Sequence, residues 1–449
     1  MTVVATLVLA ACGEQPAGPA SNSGGQAGQS SSSNQPANLV FFNARGADPV
    51  EQALIKKYEA LHPNVQIQYL ASTALGGASD TDAIANLVFN IQAKHVIDIA
   101  KVETTRTPFD LYAANAIQSL SKIGGDKVKQ QLAGLDNNVY GSFAGNAWAL
   151  PYEYDPFGYI YNNTMFKDAG ISGPPKTWDE MRTDNTKLKA KFPNSWPICN
   201  PLDNLAKTQP YVWGAGGTYW NKDVLFTKAT FDNPGVIDTY TFMQEWAEKG
   251  WLNTSEMTTN NALQFPISRK CAAMDFSAGQ ALLLKVNDPN TDWRVAPYPL
   301  QKKSNKPYNY AGGSALVIPS TSKYPKAALD FIMWLTSQEG QSLKYGLNPG
   351  LNLAQQDIFN EALPANKVVS AKLSKKPEWK QALATSNVPV RISGLSPVFS
   401  KSYQLLADMQ DRILLKKTNV RTELSSTQQQ VQTLIDQSKQ QNADLYKGS

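Results

Sequence analysis

Between Leu39 and Ala100 the chain alternates β-prone runs with amphipathic helical stretches, and this alternation limits the fold more than any other feature. Leu39 to Phe42 reads as a strand. Asp48 then caps a helix with Pro49 at its first position and Val50, Leu54, Tyr58 and Leu61 along one face. That helix ends before Pro63, and Val65 to Leu70 alternates as a second strand. A second helix from about Thr81 carries Ile84, Leu87, Val88 and Ile91, and a third strand is expected at Val96 to Ala100. A β-α-β-α-β order implies a parallel sheet with right-handed crossovers, whose ligands lie beyond the strands' carboxyl ends. Those ends are Asn43 to Gly46 and Lys101 to Arg106. Arg45, Glu103 and Arg106 are therefore candidates to face a crevice, with solvated loop charges as the alternative.

At 449 residues the chain exceeds the size at which a single core keeps growing, so two domains are expected. Its net charge of +5 comes from Lys and Arg spread along the chain without a run of five or six, which argues against a nucleic-acid groove. Three cysteines without a C-x-x-C, and two histidines far apart in sequence, give zinc or Cys-His chemistry little to build on; no metal or cofactor is expected.

The stretch Gly145 to Met181 reads as a joint between lobes. Ala147 to Leu150 is a short apolar run stopped by Pro151, and Gly158 to Tyr161 is a β-prone run closed by Asn162 and Asn163. Between them, Tyr152, Glu153, Tyr154 and Asp155 interleave phenols with carboxylates. Such a mixture is poor core material but suits a wet crevice that holds hydroxylated ligands. Met165 to Ala169 is one helical turn ended by Gly170; Pro174 and Pro175 forbid helix; Thr177 and Glu180 form a capping box that starts a new helix at Trp178.

This order of strand, Pro151, acidic-aromatic linker, Tyr161-Asn162-Asn163, short helix, Gly170 and Pro174-Pro175-Lys176-Thr177-Trp178-Asp179-Glu180 resembles the family 1 extracellular solute-binding proteins of ABC importers, the maltose-binding-protein-like group. A second block supports it: Gly312-Gly313-Ser314-Ala315-Leu316-Val317-Ile318-Pro319, then a helix through Ala327, Ala328, Phe331 and Trp334 ending near Gln338-Glu339-Gly340-Gln341. Arg269 to Met274 resembles the family's strand after a turn, and the likeness spans about 38 to 440.

The resemblance implies an α/β, two-lobed periplasmic-binding-protein fold of type II, each lobe a mainly parallel sheet flanked by helices and joined by hinge crossovers. Lobe 1 would take 38–153 with 312–362, and lobe 2 would take 154–311 with 363–449. It also implies a non-enzymatic receptor, a monomer, that captures a carbohydrate by hinge closure and delivers it to ABC permease subunits. Asp155 aligns with an acidic sugar ligand of the maltose-binding relatives, whereas Gln280 and Gln209 fall where those relatives carry stacking tryptophans.

Gln209 to Trp220, QPYVWGAGGTYW, packs rings beside glycines and suggests a wall, since aromatic faces stack on pyranose C–H faces; Trp213 and Trp220 are candidates there, with burial in the core as the alternative. Pro234 to Lys249 is a helix, Cys271 to Phe276 a buried strand, and Asp275 to Gln280 leads from its end. The candidate crevice set is thus Arg45, Glu103, Arg106, Tyr154, Asp155, Trp213, Trp220, Asp275, Gln280 and Gly313. Two amphipathic helices near the C-terminus, one with Val398, Leu405, Met409 and Ile413 and the other with Leu424, Val431 and Ile435, should wrap the second lobe.

Met1 to Ala11 is an apolar run, shorter than the roughly 20 residues of a membrane-spanning helix. Leu9-Ala10-Ala11-Cys12-Gly13 resembles a lipobox, which implies an acylated Cys12 on the outer face of the cell membrane, although no Lys or Arg precedes the run. The segment 13–37, rich in Gly, Ser, Gln and Asn, reads as a flexible linker. In an exported chain Cys199 and Cys271 either pair as a disulfide or remain small core residues. Two other functions stay open: a secreted carbohydrate-active hydrolase that uses Glu153 and Asp155 as its carboxylate pair, and a binding protein for a polyol, glycerol phosphate, polyamine or iron.

Overall fold

The computed structural model describes residues 36–75, 80–200, 205–253, 261–351 and 362–447. Cys12 with its lipobox, and the linker as far as Gln35, lie outside the described residues. The chain first lays down β1 (Ala37–Asn43), α1 (Pro49–Leu61), β2 (Val65–Ala71), α2 (Asp80–Gln92), β3 (Ile99–Glu103) and α3 (Thr107–Ala113). β2 and β3 flank β1 and run parallel to it. The Asp48 carboxylate caps α1 by accepting from the Val50 and Glu51 amides, and Val50, Leu54, Ile55 and Tyr58 face the core. β3 starts at Ile99 rather than Val96, because the Asp98 carboxylate accepts from the Val40 amide and the ladder to β1 begins beyond it, with Phe41 opposite Ile99. Glu103 is consequently the last residue of the strand rather than part of a loop.

β4 (Leu150–Pro151) leads into β5 (Glu153–Asn162), which leaves the first lobe and becomes a central strand of the second sheet. The second lobe then adds α4 (Trp178–Lys191), β6 (Trp196–Ile198), α5 (Gln209–Gly214), α6 (Pro234–Glu248), β7 (Cys271–Ser277), α7 (Gln280–Asn287) and β8 (Trp293–Ala296). The Thr177 half of the capping box of α4 forms, with the Glu180 amide donating to Thr177 Oγ1, while the Glu180 carboxylate reaches one residue further back and accepts from the Lys176 amide. β9 (Ala311–Gly312) pairs with the start of β5, and after Gly313 β10 (Ser314–Val317) inserts between β3 and β4. α8 (Pro325–Thr336) and α9 (Gln338–Lys344) cover the first sheet, β11 (Leu363–Pro364) pairs with Tyr154 and Glu153, and α10 (Phe399–Leu415) and α11 (Val420–Gln441) close the second core.

The fold class is the expected two-lobed α/β one, but the strand senses are more mixed than a mainly parallel arrangement. The first sheet runs β2-β1-β3-β10-β4 with β10 antiparallel to both neighbours; the second runs β8-β5-β7-β6 with only β7 and β6 parallel. Parallel neighbours need a long crossover within one lobe, whereas β5 and β10 arrive from the other lobe and enter from the opposite end. The disulfide Cys199–Cys271 joins the region after β6 to the start of β7, with Cα atoms 5.7 Å apart. Among the described residues no helix is long and apolar enough to cross a membrane.

One smaller apolar cluster belongs to neither sheet alone. It gathers Phe109, Tyr140 and Phe143 from the first lobe with Leu395 from the second, and Tyr112, Trp148, Val224 and Leu225 pack against it.

Candidate functional site

The crevice is built where the carboxyl ends of β1 and β3 approach the crossover β5. After β1, the Asn43 side chain accepts from the Arg45 amide at 2.8 Å, so the turn is held while the Arg45 side chain stays exposed. After β3, the Glu103 carboxylate accepts from the Thr105 amide and hydroxyl, both at 2.6 Å, and from the Arg106 amide at 3.2 Å. This knots the residues that enter α3. Arg106 then reaches across the lobes, its Nη1 donating to Ser400 Oγ at 3.3 Å. Asp110, one turn further on, is pushed up to about 7 by burial, against the pull of Arg106.

From the other side, Tyr310 just before β9 donates to Thr105 Oγ1 at 3.3 Å, with its ring 5.1 Å from that of Phe157. Asp155, half-buried on β5, accepts from the Ser277 hydroxyl at the end of β7. The sequence residues brought together are therefore Glu103, Arg106 and Asp155. Thr105, Tyr310, Ser277 and Ser400 complete the group and were not singled out from sequence; Ser277 was findable, because it lies two residues beyond Asp275 on the same strand face.

Several expected ligands are buried and engaged by protein partners. Tyr154 is 1% exposed and belongs to the first lobe's core, where burial raises its phenol above the usual range. Trp220 is a core residue of the second lobe: its ring stacks 4.0 Å from Phe226, and its Nε1 donates to Ser393 O at 2.8 Å. Neither offers a free face. Gln280 is buried at the first position of α7. Gly313 serves the backbone, with φ +119° and a hypothetical Cβ only 2.2 Å from Glu153 O, so a side chain there would push the junction of β9 and β10 away from the start of β5. Asp275 is fully buried, accepting from Asn200 Nδ2 at 2.7 Å and from the Tyr211 hydroxyl at 3.0 Å, and burial pushes it up to about 7 despite these donors. It ties the strand that carries Ser277 to Asn200 and Tyr211.

Trp213 is 4% exposed on α5, one helical turn after the buried Gln209. The Arg391 guanidinium lies 5.9 Å from its ring centre and 5.8 Å from that of Tyr308, and pairs loosely with Asp223 at 3.7 Å. Lys207 lies 4.2 Å over the Phe276 ring.

Glu153 and Asp155 do not form a hydrolytic pair. Glu153 is 4% exposed and turns into the first lobe, where Lys344 donates at 2.6 Å, Lys101 at 3.0 Å and Ser314 at 2.6 Å. The lysines hold its carboxyl well below the usual range against the opposing effect of burial. Asp48, Glu51 and Glu153 converge as a metal-binding trio might, but the ammoniums of Lys101 and Lys344 already stand among them.

Comparison with known proteins gives a consistent picture. A family described as bacterial extracellular solute-binding protein matches residues 44–342. A putative binding protein of Brucella abortus is 26% identical over 109 residues, 24% of this chain and 26% of its own length. The sn-glycerol-3-phosphate-binding periplasmic protein of Yersinia pseudotuberculosis is 24% identical over 270 residues, 55% of this chain and 60% of its own. The chain thus spans about a quarter of the first of these curated relatives and 60% of the second. Among solved structures, the sugar-binding protein of Xanthomonas citri superposes with a TM-score of 0.73 at 16% identity, covering 92% of this chain and all of that one.

Proposed function

From a chain that belongs to the bacterial extracellular solute-binding proteins, we propose an extracytoplasmic receptor of an ABC importer whose solute is a mono- or oligosaccharide. It binds and delivers without turnover. The observation that carries this reading is the meeting of lobes around β5: Thr105 and Arg106 from one side hydrogen-bond Tyr310 and Ser400 from the other, beside Asp155. A solute that touches both walls favours the closed arrangement by its differential affinity, and the permease reads that shape. The Asp155 carboxylate near the half-buried ring of Tyr310 fits vicinal hydroxyls and a pyranose face.

The lobes divide in this reading at 38–153 with 312–362 and 154–311 with 363–449, except that Tyr154, Ala311 and Ala365 at these boundaries pack in the first core. Cys12 is acylated, 13–37 tethers the body to the membrane, and the receptor acts as a monomer; intact-mass analysis of the mature N-terminus tests the acylation. A second reading, a glycerol phosphate, is favoured by the guanidinium of Arg391 between Trp213 and Tyr308 and by the Yersinia relative.

A thermal-shift screen of saccharides alongside sn-glycerol 3-phosphate separates the two, because ligand at about a hundred times its Kd adds roughly 2.7 kcal/mol to native stability. With the saccharide so found, Asp155→Ala loses a charged acceptor of about 1.5 to 3 kcal/mol and binds about ten- to a hundred-fold more weakly by calorimetry. Wild-type affinity in that variant removes Asp155 from the crevice. Stabilisation by the phosphate alone replaces the sugar.

A further inference from the structure

Behind the first lobe's wall, Lys101, Lys344, Glu51 and Glu153 are each less than 5% exposed, and Asp48 joins them at the edge. Lys101 bridges Glu51 and Glu153, Lys344 bonds Glu153, and both ammoniums lie within 3.9 Å of the Asp48 carboxylate. Burial alone would lower both lysines, but the facing carboxylates overrule it and hold them charged. Asn43 Nδ2 donates to Glu51 at 2.7 Å and Ser314 Oγ to Glu153 at 2.6 Å, which ties β1 and β10 into the same cluster.

Stability alone is a poor reason for such a cluster, since apolar residues of similar volume often serve as well or better. Its placement suggests another. Asn43 lies two residues before Arg45, Lys101 two before Glu103, and Glu153 two before Asp155, while Ser314 follows Gly313 and pairs in register with Glu103. Each crevice-bearing segment of this wall therefore has a neighbour on it that is fixed in one electrostatic knot. Because residues two apart on a strand share a face, a shift of Lys101 or Glu153 moves Glu103 or Asp155, and Asn43 acts on Arg45 through its side-chain bond to the Arg45 amide.

We propose that the Lys101–Glu153–Lys344 cluster is a positioning assembly for the solute crevice, fixing the Arg45 turn, the Glu103 turn and Asp155 relative to one another. The proposal rests on the crevice described under the proposed function, and its test has one arm that does not need the solute. Two variants of the full chain are compared with wild type, Lys344→Met and the double variant Lys344→Met/Glu153→Gln. The first leaves Glu153 with one of its two cations and the cluster with an excess negative charge; the second removes that charge and should regain most of the lost melting temperature.

Hydrogen exchange without solute then reads the Arg45, Thr105 and Arg106 amides, which are held by Asn43 and Glu103. In both variants these amides should exchange about ten-fold faster, while the Leu225 and Leu395 amides of the second lobe are unchanged. Maltose is the binding probe, and its affinity should fall about ten-fold in the double variant despite the recovered melting temperature. Wild-type exchange at the three amides in the double variant overturns the proposal and leaves a cluster that only stabilises. If maltose fails to bind wild type, the sugar reading suffers, and the exchange arm still decides the positioning role.

Discussion

Glu153 and Asp275 each sit two residues before one half of the Asp155–Ser277 hydrogen bond, and the two lobes hold these buried carboxylates by opposite means. In the first lobe two ammoniums face Glu153 and keep it ionised. In the second, Asp275 has the neutral amide of Asn200 and the hydroxyl of Tyr211, with Lys207 acting only through space, so burial pushes it up to about 7. Removing a cation from the first cluster leaves a buried carboxylate that stays uncompensated or takes up a proton at a cost in stability, whereas Asp275, held by neutral donors, titrates near neutral pH in the intact protein. The first lobe should therefore be sensitive to mutation of its charges, and the second to pH.

The largest expected effect tests the first half of that contrast. Lys101→Met leaves Glu51 without its closest cation and Glu153 with only one, and breaking a buried pair of this kind costs about 3 to 5 kcal/mol. Urea titration followed by hydrogen exchange should show the loss at β1 and β3, with the second sheet retained. A cost below about 1 kcal/mol would mean that the cluster is more solvated than its burial implies.

The second lobe has a covalent tie that the first lacks among the described residues. Cys199–Cys271 closes a loop of 72 residues, and its removal by paired alanine substitution should cost about 2 to 4 kcal/mol, with protection lost at β6 and β7 and kept in the first sheet. Equal loss in both lobes would show that they unfold as one unit.

The pH contrast is smaller. Asp275 is raised from an ordinary 3.8 to about 7, so between those values the native state binds the extra proton and stability falls as pH rises, on the order of 1 kcal/mol per pH unit. Glu153 is lowered, so its contribution is present above its ordinary 4.5 and is lost only as pH falls through its native value. Asp110 acts in the same direction as Asp275, and the test is therefore a difference in slope. Between pH 5.5 and 7.5 the melting temperature of Asp275→Asn should fall less steeply with rising pH than that of wild type. Parallel slopes would place Asp275 in a wetter setting.

How much of this could be read from sequence follows from how local each signal is. The βαβαβ order, the Asp48 cap, the Thr177–Glu180 box and Asp155 at the joint rest on neighbours within a few residues. The Glu153 cluster does not, because its partners Lys101, Ser314 and Lys344 come from distant segments and no spacing rule connects them. Glu153 therefore looked like a crevice acid equal to Asp155. Tyr154 and Trp220 show a related limit: composition shows that rings abound near a joint, but only packing shows which faces are already covered, as Phe226 covers Trp220.

The smallest expected effect lies where the lobes meet, and it asks whether they can be compared as separate bodies at all. Tyr140 of the first lobe donates its hydroxyl to Arg391 O at 3.2 Å and accepts from the Ser393 amide at 3.3 Å, while Ser393 O accepts from Trp220 of the second lobe. The segment from Arg391 to Leu395 is thus held by both sides, with Phe109, Phe143 and Leu395 packed around the Tyr140 ring. Tyr140→Phe keeps that packing and removes both hydrogen bonds, a loss of about 1 kcal/mol that shifts an open–closed equilibrium roughly five-fold toward open. Small-angle scattering of the solute-free variant should then give a larger radius than wild type, with each lobe's exchange protection unchanged. If the radius stays the same while protection falls in both lobes, the contact belongs to the folding of the whole and the lobes do not move independently about it.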